Sequence, residues 1–200
     1  MIRALLFDIG NVIIPIEPRR AFDALSSHCP FEWQEARQRL FASEAALRYE
    51  LGLIDSAAFV AELRSLLHLD CDDAAIRSAW CAMSVAGTLL PESLFAALAE
   101  QKRLVLVSNT NELHFEAHRA AWPHFAHFHA AVLSYREGCR KPSRQFFSRA
   151  RDEAGCAPEE CFYIDDSSEY VTAAREWGID GLVFTSEKEL RAALEARGVL

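Results

Sequence analysis

Two hundred residues, 51% of them hydrophobic, suffice for one domain with a large core, or one domain carrying a small insertion. A formal charge of −8 sets the average surface against long nucleic acid and against anionic membranes, so neither is an expected partner. No apolar run approaches the ~20 residues of a membrane span, and six scattered cysteines without a CxxC pair, behind an N-terminus with no leader pattern, predict reduced thiols in a soluble cytoplasmic protein.

The chain opens on an apolar run, Ile2 to Phe7, that drives into Asp8 and then into Gly10-Asn11, a pair that turns a backbone sharply. A buried strand ending on an acid is predicted. Pro15 and Pro18 then break the pattern, and helical segments follow at 19–28, 31–42, 56–68 and 72–84. The third has Asp55 or Ser56 as cap and Phe59, Val60, Leu63, Leu66 and Leu67 on one stripe. Four helices with no intervening strand predict a small bundle, residues 16–85, inserted into a core of 1–15 and 86–200.

From Pro91 the pattern changes. A helix at 91–101 leads to a second strand at 103–109, ending in Ser108-Asn109. A helix at 111–121 leads to a third strand at 130–134, and a loop carrying Arg140-Lys141-Pro142 precedes a helix at 143–155. The fourth strand, Cys161 to Ile164, runs into Asp165-Asp166. A helix at 168–177 stops at Gly178, and a fifth strand at 181–184 precedes a last helix at 187–197. Strands alternating with helices predict an α/β fold, a Rossmann-like parallel sheet with helices on both faces.

In such a sheet the carboxyl ends of strands share one edge, where ligands bind. Asp8, Ser108-Asn109 and Asp165-Asp166 meet there, with Lys141 supplied by a loop. Taken singly, each has an ordinary use as a turn, a cap or a solvated loop. Together they suit phosphoryl transfer, with Asp8 and Asp166 holding a hard cation such as Mg2+ while Lys141 and Ser108 face the phosphate oxygens.

Over nearly its whole length the chain resembles the haloacid dehalogenase-like (HAD) hydrolase superfamily. Four motifs match in order: Phe-Asp8-x-Gly-Asn-Val, Leu-Val-Ser108-Asn109-Thr110-Asn111, Arg-Lys141-Pro142 and Tyr-Ile-Asp165-Asp166-Ser167. The helical insertion is similar to the cap such proteins carry, and Tyr49-Glu50-x-Gly52-x-Ile54 to a cap element of the alpha-D-glucose-1-phosphate phosphatase-like branch, which shares the Asp-x-Gly-Asn-Val opening. The resemblance implies a Mg2+-dependent phosphomonoester hydrolase acting on a small phosphorylated metabolite such as a sugar phosphate. Asp8 would be the nucleophile. Asp8, the Gly10 carbonyl and the Asp165-Asp166 pair would form the metal site, Lys141 would neutralise charge under the hold of Asp165, and Ser108, Asn109 and Lys141 would bind phosphate. The same resemblance leaves two rival activities, 2-haloacid dehalogenation by the same aspartate and phosphate binding without turnover.

One departure stands out. Many phosphatases of this superfamily carry a second aspartate two residues after the nucleophile as general acid and base, and this chain has Gly10 there. Its loss is expected to slow hydrolysis of esters with poor leaving groups, unless a cap residue such as Glu17, His28 or Glu50 takes over. Five histidines also cluster at His114, His118, His124, His127 and His129. His114 and His118 are spaced to share a helix face as zinc ligands do, but no acidic residues complete the set and the aromatic neighbours predict packing.

Overall fold

The computed structural model describes residues 1–200. Five parallel strands form one sheet in the order β3-β2-β1-β4-β5. The first, β1 (Ala4–Phe7), lies at its centre, flanked by β2 (Arg103–Ser108) and β4 (Cys161–Asp165), with β3 (Ala130–Leu133) and β5 (Asp180–Val183) at the edges. From β1 the chain builds outward through β2 to β3, then crosses back to β4 and β5 on the other side. That reversal opens a crevice at the carboxyl end of β1. Phe7, the last residue of β1, pairs with Leu106 and with Ile164, and both flanking strands run on past it, β2 to Ser108 and β4 to Asp165.

Both faces of the sheet are covered, which is why these strands read as continuous apolar runs. Leu5, Phe7, Leu104, Leu106, Phe162 and Ile164 bury one face, and the alternating Ala4, Leu6, Val105, Val107, Cys161 and Tyr163 bury the other. The helices divide accordingly, as the inward residues of each element record.

The insertion holds five α-helices where four were expected: α1 (Arg19–Leu25), α2 (Trp33–Ala42), α3 (Ala45–Glu50), α4 (Ser56–Leu67) and α5 (Asp73–Cys81). The extra one, α3, is six residues long, too short to express a period. Asp55 and Asp72 cap α4 and α5, each accepting from the backbone amide three residues on. Leu25, Leu40, Tyr49, Phe59, Leu63, Ile76 and Trp80 form a core of the insertion's own.

In the remainder, α6 (Glu92–Ala99) and α7 (Glu112–Ala121) lie on the first sheet face together with α11 (Glu187–Glu195), while α9 (Arg144–Ala154) and α10 (Ser168–Glu176) cover the second. A short α8 (Ser134–Glu137) begins where the third strand was expected to continue, so Ser134 starts a helix instead of ending a strand. No helix is long and apolar enough to cross a membrane.

Candidate active site

Asp8 leaves β1 directly into the turn, its amide donating to Ile164 O at 2.9 Å across the strand ends. The carboxylate is buried, and one oxygen takes every contact the chain offers: Oδ1 accepts from the Ile9 amide at 2.7 Å and lies 3.0 Å from Lys141 Nζ. No hydrogen bond of the chain ends on Oδ2. The carboxylate is thereby fixed through Oδ1, and Oδ2 is left without a partner from the chain.

Lys141 is the centre of the charge arrangement. It is 1% exposed, its Nζ donating to Asp165 Oδ2 at 2.6 Å while facing Asp8. Burial acts to lower its pKa, but the paired carboxylates outweigh burial and hold it above the ordinary lysine value. The ammonium therefore stays charged. Burial pushes Asp8 up to about 6, against the pull of Lys141 and with the help of Asp165. Asp165 is fully committed: Oδ2 also accepts from the Tyr163 hydroxyl, and Oδ1 from the Ser167 amide at 2.8 Å. Burial first, then Asp165, raise the Tyr163 hydroxyl well above its usual range, so it remains a donor.

The other predicted residues fall around this pair in distinct ways. Ser108 ends β2 buried, with no hydrogen bond to its hydroxyl, and lines a cavity of about 320 Å³ between core and insertion together with Ile9, Gly10 and Asn109. The Asn109 side chain turns to Lys141, Oδ1 accepting from its amide at 2.8 Å and Nδ2 donating to its carbonyl at 3.2 Å, and so fixes the loop that delivers the lysine. Asp166 is exposed and accepts from Asn11 Nδ2 at 3.1 Å. A Cβ at Gly10 would lie 3.3 Å from Ile16 Cγ1, a tight approach, and the glycine itself offers no side chain for proton transfer.

Carboxylate oxygens of Asp8, Asp165 and Asp166 all lie within 4.8 Å of one another. Three acids against one ammonium leave negative charge uncompensated, and oxygen donors of this kind suit a hard divalent cation such as Mg2+. The residues present fit that ion.

Three contributors escaped sequence reasoning. Asn11, read as a turn residue, sits at φ 52°, and its side chain joins Asp166 to the exit of the turn by also accepting from the Ile16 amide at 3.0 Å. Only the left-handed tolerance of Asn before an apolar run signalled it. Tyr163 was read as a strand residue and Ser134 as a strand end. Ser134 Oγ accepts from the Thr110 amide and donates to its carbonyl, both at 2.9 Å, bracing the segment after Ser108.

The insertion is seated over this edge. Its two connections run side by side, Glu17 N donating to Met83 O at 2.7 Å and Val85 N to Pro15 O at 2.9 Å. Tyr49 Oη accepts from the Leu113 amide at 3.0 Å and joins Ser56 Oγ at 2.7 Å, while Ser56 donates to Glu112. Gly52, at φ 67°, lets the next turn close on Tyr135, where a Cβ would come 2.1 Å from the carbonyl oxygen.

The clustered histidines have separate partners. His124 meets Leu90 O, His127 meets Glu92, and His129 Nδ1 accepts from Leu104 N. His114 stacks on Trp80 and bonds its carbonyl at 3.0 Å, and His118 Nε2 pairs with Ser84 Oγ at 2.7 Å. Burial lowers both to about 4, His118 with added repulsion from His114. Unfolded imidazoles bind protons below about 6.5, so between 6.5 and 4 the unfolded state binds more protons and stability falls as pH drops. From pH 6.5 to 5 the loss should be roughly 2 kcal/mol per histidine. Urea unfolding at pH 7 and pH 5 should record it, and the H114Q/H118Q double variant should lose most of the difference.

Comparison with known proteins agrees with this fold. A HAD-family enzyme of Bacteroides thetaiotaomicron, solved with magnesium and inorganic phosphate, is similar with 27% identity and a TM-score of 0.81, over 94% of this chain and 96% of that one. A predicted HAD-like hydrolase of Porphyromonas gingivalis (20% identity, TM-score 0.84, 98% of both chains) and the L-2-haloacid dehalogenase of Xanthobacter autotrophicus (17%, 0.64, 100% and 85%) share the fold. The family model for haloacid dehalogenase-like hydrolases matches residues 2–178, from just before β1 to the glycine that follows α10, and the chain belongs to that family of enzymes.

Proposed function

We propose that this hydrolase is a Mg2+-dependent phosphatase that cleaves a small phosphorylated metabolite, a sugar phosphate being the leading class, through an aspartyl-phosphate at Asp8. The observation that carries the reading is the Asp8 carboxylate, pinned through Oδ1 by Lys141 and the Ile9 amide with Oδ2 open. The similar enzyme of Bacteroides thetaiotaomicron, solved with magnesium and inorganic phosphate, supports it.

Asp8 and Asp166, with the Gly10 carbonyl, would hold the metal, and Asp165 would serve as the anchor of Lys141. When bound, Mg2+ screens carboxylate from phosphate and stabilises charge on the transferring group. Asp8 Oδ2 attacks phosphorus in line, forming the Oδ–P bond as the ester oxygen leaves. The Lys141 ammonium neutralises charge between carboxylate and phosphoryl group, and the Ser108 hydroxyl donates to a phosphoryl oxygen. Water then attacks phosphorus, releasing phosphate and restoring Asp8. In this reading the helical insertion, residues 16–85, is the cap that closes the site over the leaving group.

The test is phosphate release from p-nitrophenyl phosphate and a panel of sugar phosphates with Mg2+. Turnover should vanish with EDTA and return with excess Mg2+. Hydrolysis undiminished in EDTA, or chloride release from 2-chloropropionate in its place, would overturn the reading.

A further inference from the structure

With Gly10 unable to move protons, the position two residues after Asp8 supplies no acid or base, and the nearby Lys141, Asp165 and Asp166 are taken up by the ion pair and the metal site. The cavity that Ser108 and Gly10 line contains one carboxylate, Glu50, at the end of α3. Its place is set by the structure around it. Immediately before it, Tyr49 is tied to the Leu113 amide, and two residues after it Gly52 closes on Tyr135, so this end of α3 is fastened to the core on both sides of Glu50. Glu50 Oε1 is buried and lies 3.1 Å from Arg140 Nε, yet it makes no hydrogen bond within the chain. Arg140 in turn precedes Lys141, whose ammonium is 3.0 Å from the nucleophile.

The competing groups are excluded by their surroundings. Glu17 is exposed and does not line the cavity. His28 is paired with Asp70 at 2.9 Å on the insertion's surface. His114 does line the cavity, but both ring nitrogens are engaged, Nδ1 by Asn111 and Nε2 by the Trp80 carbonyl. His118 lines the cavity too, tied to Ser84 through Nε2 with Nδ1 buried and unpartnered, but burial holds its pKa down at about 4, too low to keep a proton between cycles.

We propose that Glu50, reaching the site from the insertion, is the proton-transfer group that takes over the work Gly10 cannot do. The inference rests on the phosphatase reading above. In the first step the Glu50 carboxyl proton passes to the ester oxygen as its bond to phosphorus breaks and the Asp8–phosphorus bond forms. In the second, the Glu50 carboxylate takes a proton from the attacking water as the Asp8–phosphorus bond breaks, so the carboxyl is restored and phosphate leaves. Burial raises the pKa of this group while Arg140 and then Lys141 lower it, with a net shift upward, the direction that favours holding a proton between cycles.

The test compares wild type with Glu50→Gln on an aryl and an alkyl phosphate, with Glu50→Asp as the conservative control and Mg2+-dependent orthophosphate binding as the measure of an intact site. General acid–base help is worth about 10²- to 10⁴-fold. E50Q should therefore lose that factor in kcat on the alkyl ester, with KM within about twofold. On the aryl ester, whose leaving group needs no proton, it should release a stoichiometric burst of phenol, leaving phosphorylated protein detectable by intact mass. E50D should restore part of kcat and abolish the burst. An E50Q enzyme that binds orthophosphate but keeps the wild-type kcat on the alkyl ester and shows no burst on the aryl ester, or changes only KM, overturns the inference while leaving the phosphatase reading standing. A wild-type enzyme inert to both esters overturns both.

Discussion

Asp8→Asn should lower kcat/KM on every phosphate ester by about 10⁴-fold or more, the scale on which removal of a covalent nucleophile acts. The substitution keeps the shape of the side chain and its bond from the Ile9 amide but replaces the open Oδ2 with an amide group that cannot attack. Stability should move the other way or not at all. Lys141 retains Asp165 at 2.6 Å, and one buried negative charge of a strained pair is removed. A thermal midpoint equal to or above wild type, together with lost activity, identifies Asp8 as a residue kept for chemistry. Loss of stability with activity retained identifies a turn cap.

Lys141→Met should be costly on both counts. The ammonium is the single cation between Asp8 and Asp165, and all three groups are buried. Removing one partner of a buried ionic cluster leaves uncompensated charge, a cost of about 3–5 kcal/mol. Urea unfolding in metal-free buffer should show a loss of that size. Activity with Mg2+ should fall by roughly 10²- to 10³-fold, as for a missing donor that stabilises transition-state charge. The coupling can be isolated: in an Asp8→Asn background one of the two acids is already neutral, so Lys141→Met should cost measurably less stability there than in wild type. Equal costs in the two backgrounds would mean that Asp8 and Lys141 do not interact.

The insertion shows where local pattern stops being informative. The periodicity of 56–68 placed α4 to within a residue of Ser56–Leu67, because twelve residues with a cap and a five-member stripe carry an unambiguous phase. The six residues of α3 carry none, and yet they deliver Glu50. Glu17, His28 and Glu50 were indistinguishable as replacements for the missing acid while only their residue types were known. Exposure, an ion pair with Asp70 and burial beside Arg140 separate them, and each depends on partners far away in the chain.

The same division runs through the active site. Strand ends were legible, since an apolar run stopped by a polar residue marks where a buried strand leaves the sheet, and a parallel sheet brings such ends to one edge. Asp8, Ser108, Asp165 and the order of the elements were thereby set by sequence alone. What each polar group faces was not. The Asn109 side chain turns to the Lys141 backbone, Tyr163 joins Lys141 on Asp165, and Asn11 reaches Asp166 across 155 positions of chain. Periodicity and turn chemistry are properties of a few adjacent residues, whereas hydrogen-bond partners and buried charges are settled only when distant segments pack. The sequence by itself therefore determined which acid ends the central strand, and the tertiary structure decided which groups hold it, which loop carries its lysine and which carboxylate of the insertion lines the cavity beside Ser108 and Gly10.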